Sequence, residues 1–152
     1  MDVTPDELAG IAGLFGGLRR SELAQACEEV AYKRSGSGVT ETEVSTAIDT
    51  ALDRHHLVRA GMRGETYLLP GPSAFPSVPA AAEDLPHIFD IEARDISRQE
   101  VADRIRSEAV AELQEQPSER RCEELLQLSY DLETWADIDA SAIREAAEAI
   151  ER

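Results

Sequence analysis

Between residues 52 and 57 the hydrophobic period of this chain changes from helical to strand-like. Three segments with apolar residues at three- and four-residue spacing come first. Thr4 reads as an N-cap, with Pro5 at the first helical position and Glu7 closing a capping box. Leu8, Ile11, Leu14, Phe15 and Leu18 follow at helical spacing, and Gly16-Gly17 end the helix. A second helix fits residues 20–33, with Leu23, Ala26, Cys27, Val30 and Ala31 on one face, before the flexible break Ser35-Gly36-Ser37-Gly38. Thr40 caps a third, again with a capping box through Glu43, whose buried face reads Val44, Ala47, Ile48, Ala51 and Leu52. After the switch come the runs His56–Ala60 and Glu65–Leu69, separated by Gly61-Met62-Arg63-Gly64, a hairpin signal. Pro70-Gly71-Pro72 stops the second run.

Residues 71–83 are rich in Pro, Ala and Ser and read as a linker crossing the surface. Helical patterning then resumes. A short helix fits between Asp84 and Ile96, with Leu85, Ile88, Phe89 and Ile91 as apolar contacts. Ser97 caps a longer one through Glu100, with the narrow stripe Val101, Ile105, Ala109 and Leu113. Pro117-Ser118 restarts the chain into a helix carrying Cys122, Leu125, Leu126, Leu128, Leu132 and Trp135, and Asp139 caps a last one. The expected fold is mainly α with one small β-hairpin, organised as a unit over 1–70, a linker over 71–83 and a helical region over 84–152.

Charge decides less than its size suggests. Of 15 basic residues only Lys33 is lysine, against 31 acidic residues, for a formal net charge of -16. A surface rich in Asp and Glu and almost devoid of lysine points to adaptation to molar salt, where hydrated carboxylates maintain solubility. There the Debye length is about 3 Å or less, so net charge neither excludes nor supports nucleic acid. The distribution says more: between residues 19 and 63 seven basic residues balance seven acidic ones, and His55-His56 lie in the same stretch. No apolar run approaches the roughly 18 residues needed to span a bilayer. The acidic, helix-capped start is not a secretory signal, and Cys27 and Cys122 have neither disulfide-framework nor zinc-site spacing. These features lead us to expect a cytoplasmic protein without a membrane partner.

Asp2–Gly10, Leu14–Leu18 and Ser21-Glu22-Leu23 resemble a haloarchaeal family of small acidic proteins of unknown function. The order of three helices and a hairpin over residues 4–70 resembles a winged helix. That likeness implies a recognition helix at 41–54 and a wing at 57–69. The outer face of the implied recognition helix holds Glu41, Thr42, Ser45, Thr46, Asp49, Thr50 and Asp53. Base reading leans on Arg, Lys, Asn and Gln, none of which lies on that face before Arg54. An acidic face of this kind suits a protein partner, with Glu41, Thr42, Ser45 and Asp49 as candidate contacts and DNA as the competing ligand.

Arg19, Arg20, Arg54, His55, Arg59 and Arg63 form the candidate nucleic-acid or anion surface. The plainer reading of these arginines is pairing with the carboxylates that balance them. Adjacent histidines on a strand point to opposite faces, so His55 and His56 do not make a metal site, and His87 is isolated. Cys27 and Cys122 fit packing positions, and Gly10, Gly13, Gly16 and Gly17 lack the strand and Lys-Ser/Thr of a phosphate loop. Trp135, with Leu128 and Leu132, is either a core contact or an anchor for another subunit, which allows a homodimer. No catalytic constellation stands out and no cofactor or metal is implied. The sequence thus reads as a non-enzymatic binding module or regulatory adaptor, with a DNA-binding transcriptional regulator as the alternative.

Overall fold

A computed structural model describes residues 3–36 and 38–150. The chain forms two compact units, residues 1–96 and 97–152. Unit 1 holds α1 (Pro5–Gly13), α2 (Arg20–Ser35), α3 (Glu41–Asp53), the hairpin β1 (Leu57–Met62) and β2 (Glu65–Pro70), and the one-turn α4 (Leu85–Ile88). Unit 2 holds α5 (Arg98–Gln114), α6 (Glu119–Trp135) and α7 (Ser141–Glu148). The expected class, mainly α with one small β-hairpin, is the one observed.

Local chemistry sets the helix ends. Thr4 Oγ1 accepts from Glu7 N–H at 3.1 Å and Glu7 Oε1 accepts from Thr4 N–H at 3.0 Å, the reciprocal box predicted. α2 ends on Gly36 in the left-handed region (φ +74), whose N–H reaches Tyr32 O at 2.8 Å. Thr40 accepts from Glu43 N–H at 3.1 Å, but the Glu43 carboxylate meets the Thr40 hydroxyl at 3.3 Å, so the cap lacks the reciprocal half expected of a box. Ser97 makes no side-chain cap bond, whereas Asp139 Oδ1 accepts from Ser141 N–H at 2.9 Å to start α7.

Leu8, Ile11, Phe15, Leu23, Val30, Val44, Ile48 and Ala51 converge as the core of unit 1. Burying each of the larger aliphatic side chains contributes about 1.5–3 kcal/mol before chain entropy is counted. The hairpin is antiparallel, pairing Val58 with Leu69, Ala60 with Tyr67 and Met62 with Glu65. Its two-residue turn has positive φ at both Arg63 (54°) and Gly64 (81°), the requirement of a type I′ turn. On the other edge of β2, Leu18 N–H donates to Leu68 O at 2.9 Å and Leu68 N–H to Leu18 O at 2.7 Å. The α1–α2 connection thereby adds a single-residue bridge to the sheet.

Residues 71–83 are docked on unit 1, where the sequence placed a linker. Gly71 and Ser73 N–H groups donate to His56 O and His55 O (2.9 and 3.0 Å), and Phe75 and Ser77 N–H groups to Asp6 Oδ1 and Asp6 O (both 3.0 Å). A Cβ on Gly10 would come within 2.2 Å of Ser77 O, so glycine is what lets this segment lie against α1. Ala82 and Leu85 complete the core, and Phe89 stacks on Phe15 at 6.5 Å. The compact unit therefore runs to Ile96 and does not stop at residue 70. Past the single turn of α4, residues 89–96 form a strap without regular secondary structure, with Ile91 N–H donating to Phe89 O at 2.8 Å.

In unit 2, Val101, Ala102, Ile105, Ala109 and Leu113 of α5, Leu125, Leu128 and Leu132 of α6 and Ile143 of α7 are buried. Arg121 on α6 donates to Glu112 on α5 (3.0 Å), and Arg144 on α7 to Glu133 on α6 (2.9 Å). Buried Ser129 accepts from Arg144 at 3.1 Å and donates to Leu126 O at 2.6 Å.

Candidate functional site

α3 buries Val44, Ile48 and Ala51, which forces the intervening polar residues outward. Glu41, Thr42, Ser45, Thr46, Asp49, Thr50 and Asp53 are all exposed. The face is not free of basic charge, because α2 begins beside it. Arg20 Nη2 lies 2.8 Å from Asp49 Oδ1 and donates to Ser45 Oγ (2.9 Å) and Ser45 O (3.1 Å). An arginine expected to face a ligand is thus engaged with the helix that would present it.

The other basic candidates divide between the two ends of the hairpin. Arg54 is the C-cap of α3, and His55, in the left-handed region at φ 61°, turns the chain into β1. The histidines therefore precede β1 and do not alternate along it. Both are half-buried; His56 Nε2 lies 3.9 Å from Asp6 Oδ1, and His56 Nδ1 is buried without a hydrogen-bond partner. Arg63 occupies the turn at the far end, six strand residues or about 20 Å away. Arg59, exposed between them, pairs across the strands with buried Leu68. Arg54 and Arg63 have no ion-pair partner among the described residues, while Arg19 reaches Glu22 at 3.3 Å and Glu65 at 3.6 Å.

Beside the hairpin turn an open cleft of about 670 Å³ brings Arg19 and Arg63 together with Glu22, Tyr67, Asp90 and Arg94. Arg94 is the residue sequence reasoning missed. Its N–H donates to Phe15 O (2.8 Å), its Nη1 to Gly17 O (3.0 Å) and Glu22 Oε1 (2.8 Å), and its Nη2 to Glu22 Oε2 (3.1 Å). The guanidinium carbon sits 4.6 Å from the centre of the Tyr67 ring. Burial pushes the Glu22 carboxyl up, but hydrogen bonds from Arg94, from Arg19 N–H and from the Arg19 side chain outweigh it and hold the group at about 2. The same pairing raises Arg94 above its ordinary value. Glu22 and Arg94 are 72 positions apart, and no local pattern marks either one.

Trp135 belongs to unit 2 and is half-buried. Arg98 lies over its ring at 5.1 Å and donates to Trp135 O at 3.4 Å, while the indole N–H is buried without an acceptor. Larger exposed surface lies elsewhere on α6, at Tyr130 (52 % exposed). Cys27 is buried and Cys122 half-buried. Among the described residues no group of three or more His, Cys, Asp and Glu is placed to hold a metal ion, and no helix is long and apolar enough to cross a membrane.

No curated protein and no solved structure matches the chain. One family model does match, over residues 6–152 and so across both units: the chain belongs to the family of unknown function DUF7109.

Proposed function

We propose that unit 1 is a winged helix acting as a non-enzymatic, protein-binding module of a regulatory adaptor in the cytoplasm of a halophilic archaeon. The supporting order is α1, the Leu18 bridge to Leu68, α2, α3 and the β1–β2 hairpin, with α3 in the recognition position and the hairpin as wing. The observation that carries the reading is the exposed face of α3. Glu41, Asp49 and Asp53 stand where a DNA reader needs donors, and Arg20 is bound to Ser45 and Asp49. Cross-linking of the tagged full chain in its native lysate at multimolar KCl, with and without nuclease, tests it. Protein cross-links mapping to α3, surviving nuclease and lost in Glu41→Arg/Asp49→Arg, are expected. Recovery of DNA, with partners lost on nuclease treatment, refutes it.

DNA binding through the wing is the second reading, favoured by Arg54 and Arg63, which are exposed and lack carboxylate partners among the described residues. On that reading Arg59→Glu/Arg63→Glu abolishes duplex binding and leaves any protein complex on α3 intact.

A further inference from the structure

Arg94 is held as an arginine ligand is held in a recognition site. Both Glu22 oxygens take its two terminal nitrogens in a bidentate fork, Gly17 O takes a further hydrogen bond, and Tyr67 covers the guanidinium face. The walls are braced independently of Arg94. Arg19 N–H donates to Glu22 Oε1 at 2.8 Å, and the Tyr67 hydroxyl donates to Glu65 Oε2 at 3.3 Å. The backbone beneath is shaped to let the strap lie close against it. A Cβ on Gly16 would lie 1.8 Å from Arg94 O, and one on Gly17 would lie 2.6 Å from Ile96 Cδ1. The occupant arrives from a strap without regular secondary structure, at the edge of an open cleft.

We propose that Gly17 O, Glu22 and Tyr67 form a preformed arginine-recognition socket, which unit 1 fills in cis with Arg94 and which accepts an arginine on a peptide segment of a protein partner that lacks regular secondary structure. The strap is then an internal ligand and a competitor. A tethered ligand of this kind acts at an effective concentration on the order of millimolar, so a peptide in trans gains access chiefly when Arg94 is removed or when the partner adds contacts of its own. This socket is separate from the outer face of α3, and the inference stands whether or not that face binds protein.

The test uses the full chain carrying Arg94→Ala and a labelled, end-blocked peptide of the strap sequence 89–96, Phe-Asp-Ile-Glu-Ala-Arg-Asp-Ile, followed by fluorescence anisotropy. The peptide is expected to bind at least tenfold more tightly than the same peptide with alanine in place of arginine. That preference should vanish when Glu22→Gln is added. Equal affinity for the two peptides, or an arginine preference that survives Glu22→Gln, overturns the proposal. If Arg94→Ala does not fold, Arg94→Lys replaces it: lysine keeps the charge but lacks the fork, so the arginine peptide should still bind preferentially. Absence of that preference again overturns the proposal.

Discussion

Glu22→Gln is expected to destabilise unit 1 at neutral pH and to lose that effect in acid. In the folded chain the Glu22 carboxyl is held at about 2, against an ordinary 4.5. Its side chain is only 12 % exposed, so solvent screening removes little of the effect. A difference of that size corresponds to about 3 kcal/mol of folding free energy at pH 7. The sign follows from the direction of the change. A carboxyl lowered by folding contributes in full above its unfolded value of 4.5, and the contribution is lost as pH falls toward 2. The wild-type chain should therefore exceed Glu22→Gln by about 3 kcal/mol at pH 7, by progressively less below pH 5, and by almost nothing near pH 2. Urea titrations at fixed molar KCl, read by NMR at the amides of Leu23, Ala26 and Val30, follow this core helix of unit 1 directly. A wild-type advantage that stays constant from pH 7 to pH 2 would refute the reasoning, since the loss would then reflect packing and not ionisation.

Further outcomes follow from the packing. Gly16 and Gly36 both have positive φ (77° and 74°), but a Cβ on Gly36 meets open space. Gly36→Ala should cost about 1 kcal/mol and Gly16→Ala at least twice that, because the strap carbonyl must also move; equal urea midpoints would contradict the seat described for Arg94. Burial, with the charge of Glu28 adding to it, pushes the Cys27 thiol up to about 12. Iodoacetamide at pH 8 should therefore modify Cys122 alone in the folded chain, and mass spectrometry showing equal labelling of Cys27 would count against its burial. Ile48→Ala, beneath α3, should cost about 2–5 kcal/mol, whereas Asp49→Ala on its outer face should change stability by less than about 1 kcal/mol despite losing the Arg20 pair. Denaturant midpoints giving comparable losses for the two would invert the assigned faces.

Much of the fold was legible where the signal is short-ranged. The Thr4–Glu7 box, the Gly36 stop and the Thr40 cap act within one helical turn, so residue identity alone marks them. The hairpin was equally plain, although its turn tightened from the four residues Gly61–Gly64 to the two-residue Arg63-Gly64. The candidate site was less legible. Arg54, His55, Arg59 and Arg63 read as one surface because they are neighbours in sequence, with Arg19 and Arg20 expected nearby, but the length of β1 separates Arg54 from Arg63, and Arg19 and Arg20 turn to Glu65 and Asp49.

By itself the sequence determined which segments are helical, where the period changes to a hairpin and which face of α3 is apolar, because these depend on backbone preference and on alternation along a single element. The tertiary structure alone decided the destination of residues 71–96. The Pro-, Ala- and Ser-rich composition of 71–83 resembles a linker and 84–96 fits a short helix, and only the nearby Asp6 acceptors, the approach permitted at Gly10 and Gly16 and the Glu22 carboxylate make docking favourable. Hydrogen bonds between residues 69 and 77 positions apart depend on which surfaces folding brings together, and no periodicity along the chain records that.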